Sequence, residues 1–132
     1  MLLHIRPAGT WFLALVLILT FVAALATLAA KAGPADVVEV ELSGDRVNGF
    51  RFDVTVAHAD TGWEHYADLW EVRAPDGTVL GSRTLHHPHV EEQPFTRSLS
   101  GVEIPDGIDI VAVCARDSEH GFGGACVDVA ID

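Results

Sequence analysis

The stretch YADLWEVRAPDGTVLGSRTL, residues 66–85, decides the fold class. Two runs rich in β-branched and aromatic residues, 66–73 and 78–85, flank the turn sequence Ala-Pro-Asp-Gly at 74–77. Proline presets the backbone of such a turn, and glycine accepts the left-handed conformation that reverses the chain. This stretch therefore predicts an antiparallel hairpin whose first strand carries Trp70.

Further short strands are predicted on both sides of this hairpin. They cover residues 36–42, 49–57, 95–99, 108–115 and 125–131, and Phe50, Phe52, Val54 and Val56 alternate with polar residues in the second strand. No stretch beyond Pro34 has helical periodicity. Seven short strands in about 100 residues, with a tryptophan in the third, predict an all-β protein, specifically a seven-stranded immunoglobulin-like β-sandwich.

The start of the chain is apolar. The uncharged run at residues 11–30 would reach about 30 Å as a helix, enough to cross a bilayer, and Ala30 and Ala32 form an A-x-A-like cleavage site. Residues 1–32 are therefore predicted to be a signal peptide or a single transmembrane helix, and 33–132 the sandwich. Because Arg6 favours the inner side of the membrane, the domain is expected in the periplasm, free or anchored to the inner membrane.

The charge of the domain excludes one class of partner. Residues 33–132 contain six arginines and all 19 acidic residues of the chain, a formal charge of −13. Nucleic acids are bound mainly through positive charge, so the domain is not expected to bind them.

The histidines are predicted to gather at one end of the sandwich. If successive strands run in alternating directions, the loops 58–65, 86–94 and 117–124 all lie at the same end. Six of the seven histidines fall in these loops or beside them. Imidazole is the commonest metal ligand, and several acids nearby can ligate directly or orient the rings, so the pattern predicts a transition-metal site.

The predicted ligands are His58, His65, His87, His89 and His120, with His86, Glu64, Glu91 and Cys114 as possible additional ligands. Copper, zinc and iron all suit such a set. A blue-copper site is excluded because the only methionine is Met1.

Cys114 and Cys126 are candidates for a disulfide. They are equidistant from His120, the middle of the last predicted hairpin, so antiparallel pairing places them opposite each other. Outside the cytoplasm such a pair is expected to be oxidised.

The order of several motifs resembles the superoxide reductases, which are immunoglobulin-like domains. The motifs are His58-x6-His65-Tyr66, Trp70-Glu71-Val72, a Pro-Asp-Gly hairpin, Val-Cys114 and His120-Gly121. The resemblance implies a mononuclear iron with His58, His65 and His120 as equatorial ligands and Cys114 as the axial thiolate. The chain departs from the family in placing five residues rather than two between Cys114 and His120, and in having no fourth histidine before the second strand. The stretches HPHVEEQPFTRSLSG and HGFGG also resemble uncharacterised exported bacterial proteins.

Three functional hypotheses follow. The leading one is an exported protein that binds a transition metal through histidines on three loops. The first alternative is a superoxide-reductase-like enzyme, which needs a free Cys114. The second alternative is a metal-free interaction module that contacts another exported or membrane protein through loop aromatics, including Trp63, Tyr66, Phe95 and Phe122.

Overall fold

The computed structural model describes residues 32–132, which form one compact unit. Their seven strands are β1 (Asp36–Asp45), β2 (Gly49–Ala57), β3 (Ala67–Arg73), β4 (Val79–Thr84), β5 (Phe95–Val102), β6 (Ile110–Asp117) and β7 (Val127–Ala130). Within this part of the chain there is no helix of sufficient length and apolarity to span a membrane. The predicted signal peptide or transmembrane segment, with its apolar run at 11–30, lies outside the described residues.

The strands form two antiparallel sheets. The first has the order β1-β2-β5 and the second the order β4-β3-β6-β7. The all-β class is confirmed, and each predicted strand is present: β2 has the predicted ends, and the other six strands have shifted ends. The largest shifts are in β1 and β5, which run three residues further than predicted. In β5 the pairing resumes beyond a bulge, so that Val102 still pairs with Phe50.

The core lies between the inner faces of the two sheets. Alternate residues of β2, from Phe50 to Val56, are buried, and Trp70 and Val72 of β3 face them from the second sheet. Val111 and Val113 of β6 complete the same core. Removing these side chains from water is the main source of stability for a domain of this size.

Three loops meet at one end of the two sheets, which we call the loop end: residues 58–66, 85–94 and 118–126. The backbone N–H of Ser118 donates to the Tyr66 carbonyl at 2.9 Å, and that of His58 donates to Oε1 of Gln93 at 3.0 Å. The structure thus brings together the loops that strand alternation places at one end.

Candidate metal centre

Three buried side chains converge at the loop end. One ligating atom from each of His58, His65 and Asp117 lies within 4.8 Å of the other two. Nε2 of His58 is 3.2 Å from Nε2 of His65, and the latter atom is 2.9 Å from Oδ1 of Asp117. Two imidazole nitrogens and a carboxylate oxygen therefore face one another inside the protein.

Strand parity aims two of these groups inward. His58 follows β2 with the same alternation that buries Phe52, Val54 and Val56, so its ring caps the end of the core. Asp117 ends β6 with the alternation of Val113. Both side chains point into the space between the two sheets at the loop end.

A tight turn brings in the third group. Thr61 N–H donates to the His65 carbonyl at 3.0 Å, and His65 N–H donates to the Gly62 carbonyl at 3.2 Å. Gly62 has a φ of 144°, a conformation that favours glycine. The turn directs the His65 ring back towards His58, with ring centroids 4.7 Å apart.

Asp60 holds His58 in place. Its Oδ1 accepts from Nδ1 of His58 at 2.5 Å and from the N–H of Ala67 at 2.9 Å, while its Oδ2 accepts from the N–H of His89 at 2.7 Å. A proton held on Nδ1 leaves the lone pair of His58 on Nε2, the atom that faces His65. This carboxylate-to-histidine contact is how proteins orient metal-binding imidazoles.

Only one of the two carboxylate oxygens of Asp117 accepts hydrogen bonds. Its Oδ1 accepts from the backbone N–H groups of Glu119 and His120, at 3.0 and 2.8 Å, and from Nδ1 of His120 at 3.1 Å. Burial acts to raise the pKa of Asp117, but hydrogen bonds from these N–H groups and from the His120 and His65 rings outweigh it, so the pKa lies below its ordinary value. Oδ2 is buried and has no hydrogen-bond partner.

The centre opens to solvent on the side of His120. The His120 side chain is 38% exposed, and its ring centroid is 5.0 Å from that of His65. Nδ1 of His65 lies 3.3 Å from the Glu119 carboxylate, which also faces solvent. A proton on Nε2 of His65 can satisfy both His58 and Asp117, and a cation placed among the three atoms can do the same.

Two predicted ligands, His87 and His89, and the possible additional ligand His86 do not join this cluster. His89 is buried, but its Nε2 accepts from the Arg97 guanidinium at 2.8 Å and its ring stacks on Phe95 with centroids 3.9 Å apart. Burial, followed by the charge of Arg97, lowers the pKa of His89, which favours the neutral ring. His86 and His87 are exposed, and the His87 ring lies beside that of His89.

The additional candidates also lie outside the cluster. Glu64 and Glu91 are exposed on their loops. Cys114 is bonded to Cys126, with Cα atoms 4.5 Å apart, in the register that pairs Val113 with Val127. In this form Cys114 has no thiolate to offer a metal, so it is removed from the possible ligands, and the iron ligand set implied by the superoxide reductase resemblance is not assembled.

Sequence reasoning did not single out Asp60 and Asp117 as site residues, although both are among the acids near the histidines in the sequence. For Asp117 the signal was present, because it continues the inward alternation of Val111, Val113 and Ala115. Asp60 follows the end of β2, where strand parity no longer predicts the direction of a side chain.

The chain is similar to a known protein over most of its length. A protein named "Putative lipoprotein" from Halomicrobium mukohataei is 41% identical over 95 residues, which cover 72% of this chain and 46% of the relative. The chain thus spans less than half the length of that relative. No family model and no solved structure matches the chain, so the superoxide reductase resemblance gains no support.

Proposed function

We propose that this chain is an exported protein whose domain binds one transition-metal ion through Nε2 of His58, Nε2 of His65 and a carboxylate oxygen of Asp117. The observation that carries the proposal is the convergence of these three buried ligating atoms within 4.8 Å. His120, on the open side, is the nearest candidate for a fourth ligand.

The spacing of the three atoms suits a small metal ion. Imidazole nitrogens about 2.0 to 2.1 Å from a tetrahedral zinc ion lie about 3.3 Å from each other. Two of the separations, 3.2 and 2.9 Å, are near this value, and all three atoms lie within 4.8 Å of one another, so the side chains would need to move only a short way to surround an ion. Binding would replace the proton that His65 shares with its two neighbours.

The chemical types of the three ligands limit which metal ions the site can bind. Two imidazoles and one carboxylate suit zinc, copper(II) and ferrous iron, whereas calcium and magnesium prefer oxygen ligands alone. Asp60 fixes the tautomer of His58, and Glu119 is placed to do the same for His65. We propose that the protein captures or buffers such an ion. No catalytic step is needed to explain the site.

Location and fold support this role. The relative named a lipoprotein, the apolar run at 11–30 and the disulfide all fit a protein on the outer side of a membrane. Attachment to a membrane would use the apolar run at 11–30. The division into three and four antiparallel strands around one core fits an immunoglobulin-like sandwich, and we include that fold in the proposal.

The test is a metal titration of the purified full chain and two variants. Calorimetry with zinc, copper(II) and ferrous iron should give one site in the wild type. His65→Gln should weaken binding at least tenfold, whereas His87→Gln, which removes an exposed imidazole of a neighbouring loop, should not. Equal affinity in the two variants would end the proposal.

A further inference from the structure

The loop end is also where the chain joins the domain. Asp36, the first residue of β1, pairs with Ala57, the residue before His58. The N–H of Ala125 donates to Oδ1 of Asp36 at 2.7 Å, and the N–H of Val37 donates to the Ala125 carbonyl at 2.9 Å. One surface depression of about 500 Å³ is lined by Gly33, Pro34, Asp36, His58 and residues 123–125. The proposed metal centre thus lies beside the first residues of the domain.

The distance from the apolar run to the domain is short. Five residues, 31–35, separate Ala30 from Asp36, and even a fully extended chain of this length covers only about 20 Å. The opposite end of the sheets carries Val47, a strand length of about 30 Å away from the loop end. If residues 11–30 stay in a membrane, the loop end must remain near the membrane surface whatever the tilt of the domain.

The loop end carries side chains suited to a lipid surface. Trp63 is 68% exposed and packs edge-on against Tyr66, with ring centroids 5.6 Å apart, and Val90 is exposed on the neighbouring loop. The connecting loops at the opposite end, 46–48, 74–78 and 103–109, have no aromatic residue. Tryptophan and tyrosine are the residues most enriched at the level of lipid headgroups.

We infer that the loop end faces the membrane in which residues 11–30 are anchored, with Trp63 seated among the lipid headgroups. The inference rests on the membrane-anchored location given under Proposed function. Exposed Glu64, Glu91 and Glu92 lie on the same end, and their charge opposes approach to anionic lipids. The surface that fits is therefore one of zwitterionic headgroups.

The experiment uses the full chain reconstituted into phosphatidylcholine vesicles, in a Trp11→Phe background. Trp70 is fully buried, so Trp63 is then the only tryptophan that quenchers can reach. A nitroxide on the lipid headgroup should quench its fluorescence at least twofold more than aqueous iodide does. The matched control, Trp63→Phe with Val47→Trp, moves the tryptophan to a position that is 91% exposed at the far end, where iodide should be the stronger quencher.

Three results would overturn the inference: stronger quenching of Trp63 by iodide, equal lipid quenching at positions 63 and 47, or failure of the chain to float with the vesicles. An insertion of twenty Gly and Ser residues after Lys31 should reduce lipid quenching of Trp63, because it frees the domain from the surface. Metal titration of the same vesicles separates the two proposals, since metal binding can persist without lipid quenching and lipid quenching without metal binding.

Discussion

The Nε2 atoms of His58 and His65 lie 3.2 Å apart at the loop end, although the two residues belong to opposite ends of one loop. Asp60 accepts a hydrogen bond from Nδ1 of His58, and the Glu119 carboxylate lies 3.3 Å from Nδ1 of His65. A ring whose orientation is fixed reorganises less when it binds an ion, so the residues that orient the rings can be tested as well as the ligands.

Replacing Asp60 with asparagine should weaken metal binding without removing a ligand. The amide would place a donor against one of the three N–H groups that now share the carboxylate, so the His58 ring would lose its fixed orientation. Loss of such a support typically costs about tenfold to 100-fold in metal affinity. Metal titration of the Asp60→Asn variant measures this loss of affinity. The control is Asp76→Asn, which makes the same change at an exposed turn residue. Unchanged affinity in Asp60→Asn would show that His58 needs no support.

Asp117→Asn should alter both metal binding and acid stability. Its lowered pKa means that the folded protein holds the ionised form, so this stabilisation is complete above the unfolded pKa of about 3.9 and is lost as the pH falls through the folded pKa. Urea unfolding of metal-free protein between pH 6 and pH 2.5 should show a shallower pH dependence in the variant. At neutral pH the variant should lose about 1 to 3 kcal/mol of unfolding free energy. A pH dependence identical to that of the wild type would contradict the assignment.

His89 should make the metal-free domain less stable in mild acid. Its pKa is lowered by burial and by Arg97, so the unfolded chain takes up the proton first and the unfolding free energy falls as the pH drops below about 6.5. His89→Gln should reduce the loss of stability between pH 7.5 and pH 5.5, measured by urea unfolding with a chelator present. The control is the His86→Gln variant, which makes the same change at an exposed position. A steeper loss in His89→Gln would reverse the predicted sign.

Removing the disulfide should leave metal binding nearly intact. Asp117 is held by pairing of β6 with β3, where it lies opposite Ala67, and the pairing of Val113 with Val127 should persist without the disulfide. The double variant Cys114→Ser, Cys126→Ser should therefore keep its metal affinity within about threefold, while it loses about 3 kcal/mol of stability, the loop-closure value for a sequence separation of 12 residues. A large loss of metal affinity in this variant would indicate that a cysteine is a metal ligand after all.

Local patterns were sufficient to predict most of the fold. The Ala-Pro-Asp-Gly turn and the alternation of β2 are short-range signals, and they located the strands that contribute Trp70 and His58. Strand ends were less predictable, because the extra residues of β5 follow a bulge that depends on pairing with β2.

The candidate site could be predicted only in part. Counting strand directions was enough to place His58, His65 and His120 at one end. It could not show that the His89 ring would turn towards Phe95 and Arg97, because that choice depends on packing between loops that are far apart in sequence. The contribution of Asp60 also depends on a long-range contact, since its Oδ2 accepts from the N–H of His89, 29 residues further along the chain.

The measurement that tests the central claim most directly is elemental analysis of the full chain purified without a histidine tag from cells that export it. The account predicts close to one equivalent of zinc, copper or iron, which should be absent from a His58→Gln, His65→Gln double variant that keeps the wild-type circular dichroism spectrum. Its control, His86→Gln with His87→Gln, should retain the ion. Protein that contains no metal, even after incubation with each of the three ions, or a double variant at positions 58 and 65 that keeps its metal, would contradict the account.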